Sequence, residues 1–184
     1  MEALRVFSII NSVFSSKSYR IGSILIDPGD EWEGFENVDA VLLTHAHFDH
    51  IYGLNRVVEL NPGVKIFTNT AGQEALLNDR LNMSRYHETP FVLEYPENII
   101  PINDGDEIDL GNGLVAKAIF TPGHNPSCIT WIIGDAVFTG DSYIPGIKTV
   151  TNLAHSNKSQ AIESEKLIIK LCESRTIFSG HKTE

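Results

Sequence analysis

Three histidines and an aspartate stand within the six residues from His45 to His50, in the stretch AVLLTHAHFDH, and this cluster constrains the chain more than any other feature. The run before it, Ala40 to Thr44, is short, apolar and partly β-branched, which predicts a buried strand. The imidazoles therefore begin at a strand's C-terminal end. After them, IYGLNRVVELNPG sets Leu54, Val57, Val58 and Leu60 at helical spacing and stops at Asn61, Pro62 and Gly63, which predicts a helix over 52–60. Strand, loop and helix in that order are where open α/β sheets carry chemistry. With this chain's usage of His and Asp, a chance HxHxDH would arise on the order of once in two thousand sequences of this length.

The other candidate ligands recur at similar places, each where a strand runs into a glycine-containing loop: His124 in FTPGH, Asp141 in FTGDS and His181 in FSGH. A loop motif alone usually leaves metal coordination to be completed by residues remote in sequence. His45, His47, Asp49, His50, His124, Asp141 and His181 are thus the candidate metal ligands. His87 and His155 lie in polar loop segments and read as solvated surface residues.

Strands are expected near Leu4 to Ile10 and Tyr19 to Ile26, then at 40–44 and 64–68, followed by a short helix over 70–78 with Thr70 and Gln73 as its cap. Residues 78–98 have weak periodicity and two prolines, and read as a long irregular segment of the kind that often carries function. From Ile99 on, strand patterns dominate: NIIPIN, EIDL, LVAKAIFT, CITWII and AVFTG, punctuated by Asp104-Gly105, Gly111-Asn112-Gly113 and Gly134-Asp135. A helix over 159–173 and a strand over 176–178 complete the chain, giving two sheets covered by helices.

The length of 184 residues suits one domain, 1–184, and 42% hydrophobic with 21% charged residues is an ordinary globular composition. No transmembrane segment is read, and MEALRVFSIINSVF runs on as strand rather than signal peptide, so a cytoplasmic protein is expected. Cys128 and Cys172 read as buried free thiols in a reducing compartment. A net charge of −10 opposes a nucleic-acid surface, because phosphate contacts need clustered Lys and Arg.

Taken together, Asp27 in ILIDPG, the THAHFDH loop, TPGH at 121–124, TGDS at 139–142 and SGH at 179–181 resemble the metallo-β-lactamase fold superfamily, and its glyoxalase II-like branch in particular. The resemblance implies an αβ/βα sandwich, two mixed β-sheets face to face with helices outside, and two metal ions. By motif, His45, His47 and His124 would hold one ion, Asp49, His50 and His181 the other, and Asp141 would bridge them. Imidazole and carboxylate ligands suit zinc, and also iron or manganese. Asp141 stands where exported β-lactamases of this pattern carry cysteine, which argues against antibiotic hydrolysis. His47 stands where flavodiiron relatives carry glutamate.

The resemblance implies a hydrolase in which a hydroxide shared by two ions attacks a thioester, phosphoester or lactone, with Asp49 orienting it. Asp27 is expected to buttress the loop or a ligand histidine. Asn125, Ser127 and Tyr143 are the candidate contacts to a small-molecule substrate, with Ser142 beside them. Segments 78–98 and 146–158 are candidate lids. The C-terminal helical extension with which glyoxalase II grips glutathione has no counterpart after His181, which puts that thioester in doubt. The rival readings are a mononuclear-iron persulfide dioxygenase on the same scaffold and a metal-stabilised binding protein without turnover. A monomer or homodimer is expected.

Overall fold

A computed structural model describes residues 4–30 and 34–182 of the chain. Residues 1–3, at the head of the stretch read against a signal peptide, lie outside the described residues. The first sheet takes its strands in chain order: β1 (Phe7–Ile10), β2 (Lys17–Ile21), β3 (Ile24–Ile26), β4 (Ala40–Leu42), β5 (Lys65–Thr68) and β6 (Ile99–Pro101). From β3 to β6 neighbours run parallel, whereas β1, β2 and β3 are antiparallel. The second sheet is built from β7 (Glu107–Gly111), β8 (Leu114–Phe120), β9 (Ile129–Ile133), β10 (Ala136–Gly140) and β11 (Thr176–Ser179), with β11 parallel to β10 and the rest antiparallel.

Two hydrophobic clusters account for the layering. One gathers Ile24, Ile26 and Leu42 from the first sheet against Ile129, Trp131 and Phe138 from the second. Wholly buried residues such as Ile129 and Phe138 stabilise this contact by about 1.5–3 kcal/mol each. The other packs Leu25, Val41 and Ile66, on the opposite face of the first sheet, against α1 (Leu54–Leu60) and α2 (Thr70–Leu76). On the far side, α3 (Lys158–Cys172) packs on β10 through a face that buries Ala161, Ser164 and Ile168. The expected four-layer sandwich is the architecture found.

Several local expectations are corrected. The run Tyr19 to Ile26 is two strands, because Gly22 takes φ +57 and folds it into a hairpin that pairs Ile21 with Ile24. The apolar residues on both sides of the turn, Tyr19 and Ile21 before it and Ile24, Leu25 and Ile26 after it, read as one strand in the sequence. The first strand begins at Phe7, and Leu4 and Val6 pack against the inter-sheet core instead. The α2 cap is Asn69, whose side chain accepts from the Gly72 N–H. Cys128 is buried as expected, but Cys172, in the last turn of α3, is half-buried. Among the described residues no helix is long and apolar enough to cross a membrane.

Candidate metal centre

The candidate ligands lie at the C-terminal ends of four strands, β4, β8, β10 and β11, on one edge of the sandwich. Two contacts between the sheets fix the histidine loop: Trp131 donates its indole N–H to Leu43 O at 2.8 Å, and the Ile129 N–H donates to Thr44 O at 2.7 Å. Gly140 makes the approach of β10 feasible, since its φ is +51 and a Cβ there would lie 2.3 Å from Thr44 Oγ1. Asp27 ends β3 in a left-handed conformation and takes three donors. Thr44 N–H and Thr44 Oγ1 bond to its carboxylate, and His50 Nδ1 lies 3.1 Å from Oδ2.

Within this frame the side chains form two groups of ligand atoms, each drawn together within 4.8 Å: His45, His47 and His124, and then Asp49, His50 and His181. In the first, His47 Nδ1 is 3.0 Å from His124 Nε2. In the second, Asp49 Oδ2 lies 3.5 Å from His50 Nε2 and 3.4 Å from His181 Nε2. Asp141 stands between them, with Oδ2 3.2 Å from His181 Nε2 and 3.6 Å from His124 Nε2, and Oδ1 3.6 Å from His50 Nε2. Asp27, His45 and His50 make a third close group, but both Asp27 oxygens are already occupied by Thr44 and His50.

The outward nitrogens of three histidines face oxygen acceptors: His50 Nδ1 faces Asp27, His124 Nδ1 faces Val150 O at 2.9 Å, and His181 Nδ1 faces Phe14 O at 3.0 Å. A carbonyl or carboxylate oxygen only accepts, so each of these Nδ1 atoms carries a proton and Nε2 is the ring nitrogen left to face inward toward a cation. His45 Nε2 and Asp141 Oδ1 are buried with no hydrogen-bond partner among the described residues. A buried polar atom without a partner is costly, and a cation coordinated there would satisfy both. The residues therefore fit one or two divalent metal ions.

The electrostatics point the same way. Burial, reinforced by the neighbouring imidazoles, holds His45 well below the ordinary histidine value, and His47 falls to about 3 from burial and the charge of His124. Burial pushes Asp49 up. At His50 burial works against the charged form, but Asp49, the bond to Asp27 and the charge of Asp141 outweigh it and push the imidazole up to about 10. At Asp141 burial is likewise outweighed, by the His181 hydrogen bond and the charges of His50, His181 and His124, which hold the carboxyl well below the usual range. Buried carboxylates here recruit positive charge from whatever source is at hand.

Asn125 and Ser127 lie beneath the histidine loop. The Asn125 amide nitrogen is 2.9 Å from His47 Nε2, its Oδ1 accepts from Ser127 N–H and Oγ, and Ser127 Oγ accepts from the Ala46 N–H. Both are buried, so their polar atoms are engaged in holding the loop. Ser142 donates to Thr121 O, and Tyr143 is half-buried at the rim, its carbonyl accepting from Thr139. Neither candidate lid is free of the body: Phe91 and Leu93 of segment 78–98 are core residues, and Val150 and Ser156 bond to His124. His155 is exposed, as expected. His87 corrects its expectation. It is half-buried, its ring 4.8 Å from that of Phe48 and its Nδ1 3.1 Å from Tyr52 Oη. Phe14, also unforeseen, is 67% exposed beside them. Nothing in NSVFSS signals that its loop folds back onto His181.

Residues 13–181 match the metallo-beta-lactamase superfamily. The probable metallo-hydrolase YqgX of Bacillus subtilis (strain 168) is 33% identical over 149 residues, 79% of this chain and 69% of that protein. The hydroxyacylglutathione hydrolase of Xylella fastidiosa (strain 9a5c) is 31% identical over 126 residues, 65% of this chain but only 40% of the relative's own length. Among solved structures, the BLEG-1 B3 metallo-beta-lactamase superposes with a TM-score of 0.86 at 23% identity, covering 97% of this chain and 92% of that one. TTHA1623 in a di-iron-bound form superposes with a TM-score of 0.80 at 21% identity, covering 96% and 92%. At these identities the structures speak for the fold, and the family match over most of the chain carries the assignment: this chain belongs to the metallo-beta-lactamase superfamily.

Proposed function

We propose that this chain, as a single domain over 1–184, is a metal-dependent hydrolase with a dinuclear centre, zinc by preference, acting on a small thioester, phosphoester or lactone. The observation that carries the reading is Asp141, whose carboxylate reaches both three-ligand groups. The names borne by the Bacillus and Xylella relatives support hydrolysis. The di-iron neighbour keeps iron in view. His45, His47 and His124 would hold one ion, Asp49, His50 and His181 the other. Two such ions would supply Lewis acidity, enough to lower the pKa of a water from about 15.7 toward about 7.

The chain's own residues do the rest. Asp27, Val150 O and Phe14 O fix the ring orientations of His50, His124 and His181, so the ligand set is preorganised. Asp49 Oδ2, in reach of both His50 and His181, orients the attacking water and takes its proton. Tyr143 contacts the substrate at the rim. We place the enzyme in the cytoplasm, as a monomer or homodimer with no nucleic-acid partner.

Elemental analysis of protein purified without chelator, beside His47→Ala, tests this directly. Near two equivalents of zinc, much reduced in the variant, with turnover in a screen of thioesters, phosphodiesters and lactones, is the expected result. One equivalent of iron, or no stoichiometric metal, would sink the dinuclear zinc reading.

A further inference from the structure

Beside the metal centre lies a groove of about 1090 Å³ lined by Val13, Asp30, Tyr52, His87, Glu88 and Phe91 among others. None of its lining residues is a candidate ligand, yet it adjoins the centre through Phe48, which sits between His47 and Asp49 in sequence and packs against the His87 ring. Phe14 stands edge-on to both, 5.7 Å from the Phe48 ring and 6.5 Å from His87, and its carbonyl holds His181. Its φ of +53 is strained for a bulky side chain, and that conformation is held by the His181 Nδ1 bond to Phe14 O and by the neighbouring Lys182 N–H bond to Ser15 O. The phenyl ring is thereby kept in solvent at the junction of centre and groove.

The hydrogen bonds of Tyr52 fix the chemistry His87 offers. The Tyr52 hydroxyl donates to Thr89 O at 2.9 Å, and its single proton is used there. The contact of 3.1 Å with His87 Nδ1 then requires Nδ1–H as donor. In the neutral ring this leaves Nε2 as a bare acceptor, and among the described residues it has no hydrogen-bond partner. The groove's charges are mostly acidic: Asp30, Glu88 and Glu94 line it, and its arginine, Arg56, is paired with Glu59 at 2.9 Å.

We propose that His87 is the specificity-determining acceptor of this groove, which takes the distal part of the substrate, a flat aryl group bearing a neutral or cationic hydrogen-bond donor. The aryl ring lies against the exposed Phe14 ring, which buried Phe48 backs edge-on, and the donor reaches His87 Nε2. An anionic tail is disfavoured by the three carboxylates. The inference rests on the hydrolase reading for its substrate, but its test needs no turnover.

The test titrates metal-loaded protein with three unreactive probes: 4-hydroxyphenylacetamide, 4-methoxyphenylacetamide and 4-carboxyphenylacetamide. Loss of one hydrogen bond corresponds to about twofold to twelvefold in affinity. The hydroxyl probe should bind tighter than the methyl ether by that factor and the carboxylate weakest. The preference should collapse toward one in His87→Phe and be partly retained in His87→Gln, which keeps an acceptor. In parallel, long-range ¹H–¹⁵N spectra of the unmodified protein should give His87 as the Nδ1–H form. An Nε2–H form, equal binding of hydroxyl and methyl-ether probes, or a preference that survives His87→Phe would overturn the proposal. Protein that binds the probes in the expected order but hydrolyses nothing would instead count against the hydrolase reading alone.

Discussion

Asp27 and His50 are joined by a contact of 3.1 Å between Oδ2 and Nδ1, with both side chains buried beneath the histidine loop. The same carboxylate takes the Thr44 N–H at 2.7 Å, so one side chain sets both the loop's start and the ring plane of its last histidine.

Asp27→Asn tests that coupling. Asparagine tolerates the left-handed backbone at φ +49, so the change removes charge and an acceptor without straining the chain. Affinity for the metal at the Asp49, His50 and His181 group should fall by roughly 10–100-fold. Competitive chelator titration checks this, with circular dichroism confirming the fold. Two undiminished equivalents would show that Asp27 does not tune the centre.

Chelation should destabilise the molecule, because His45 Nε2 and Asp141 Oδ1, unpartnered among the described residues, lose the ion that would satisfy them and the crowded imidazoles lose the ion they would coordinate. At a metal concentration 1,000 times Kd, binding stabilises by about 4.1 kcal/mol. For a chain of this size that is roughly 8–16 °C in Tm. Scanning calorimetry with and without chelator, then with zinc restored, measures it. An unchanged Tm would mean that no ion is bound.

Gly180→Ala should empty the centre while leaving the sandwich standing. A Cβ at this position would come 2.1 Å from Asp141 Oδ1 and 2.8 Å from the Gly140 carbonyl carbon, so the carboxylate must swing away from His50. Overpacking of this kind costs about 1–3 kcal/mol. Metal content should fall well below that of the parent, and full occupancy with a normal Tm would refute the packing argument.

Burial pushes the Cys128 thiol up to about 12 from the ordinary value of 9. Because the folded value is the higher, its contribution to stability is intact below pH 9 and is lost as pH rises toward 12. Cys128→Ser should therefore show a shallower fall of Tm above pH 9 than the parent. At pH 8 an alkylating reagent should spare Cys128 in native protein and modify it in guanidinium, since the thiolate is the reactive form. Rapid native labelling of Cys128, read by peptide mass, would contradict its burial.

What the sequence determined by itself is local. The AVLL strand, the helix after THAHFDH and the glycine-bearing strand ends were legible because their periodicity and punctuation act over a few residues. The histidine loop was legible because chance rarely assembles it. At the ends of β2 and α2 the reading failed for equally local reasons: apolar residues on both sides hid the Gly22 turn, and Asn69 outcompeted Thr70 as cap. Only the tertiary structure decided that His45, His124, Asp141 and His181, carried by four strands, meet within a few ångströms, because that depends on how two sheets stack over Trp131. It also decided that Asn125 holds His47 and that His87 belongs beside the centre. Both outcomes arise from hydrogen bonds and ring contacts between residues 35 or more apart in sequence, which no local pattern encodes.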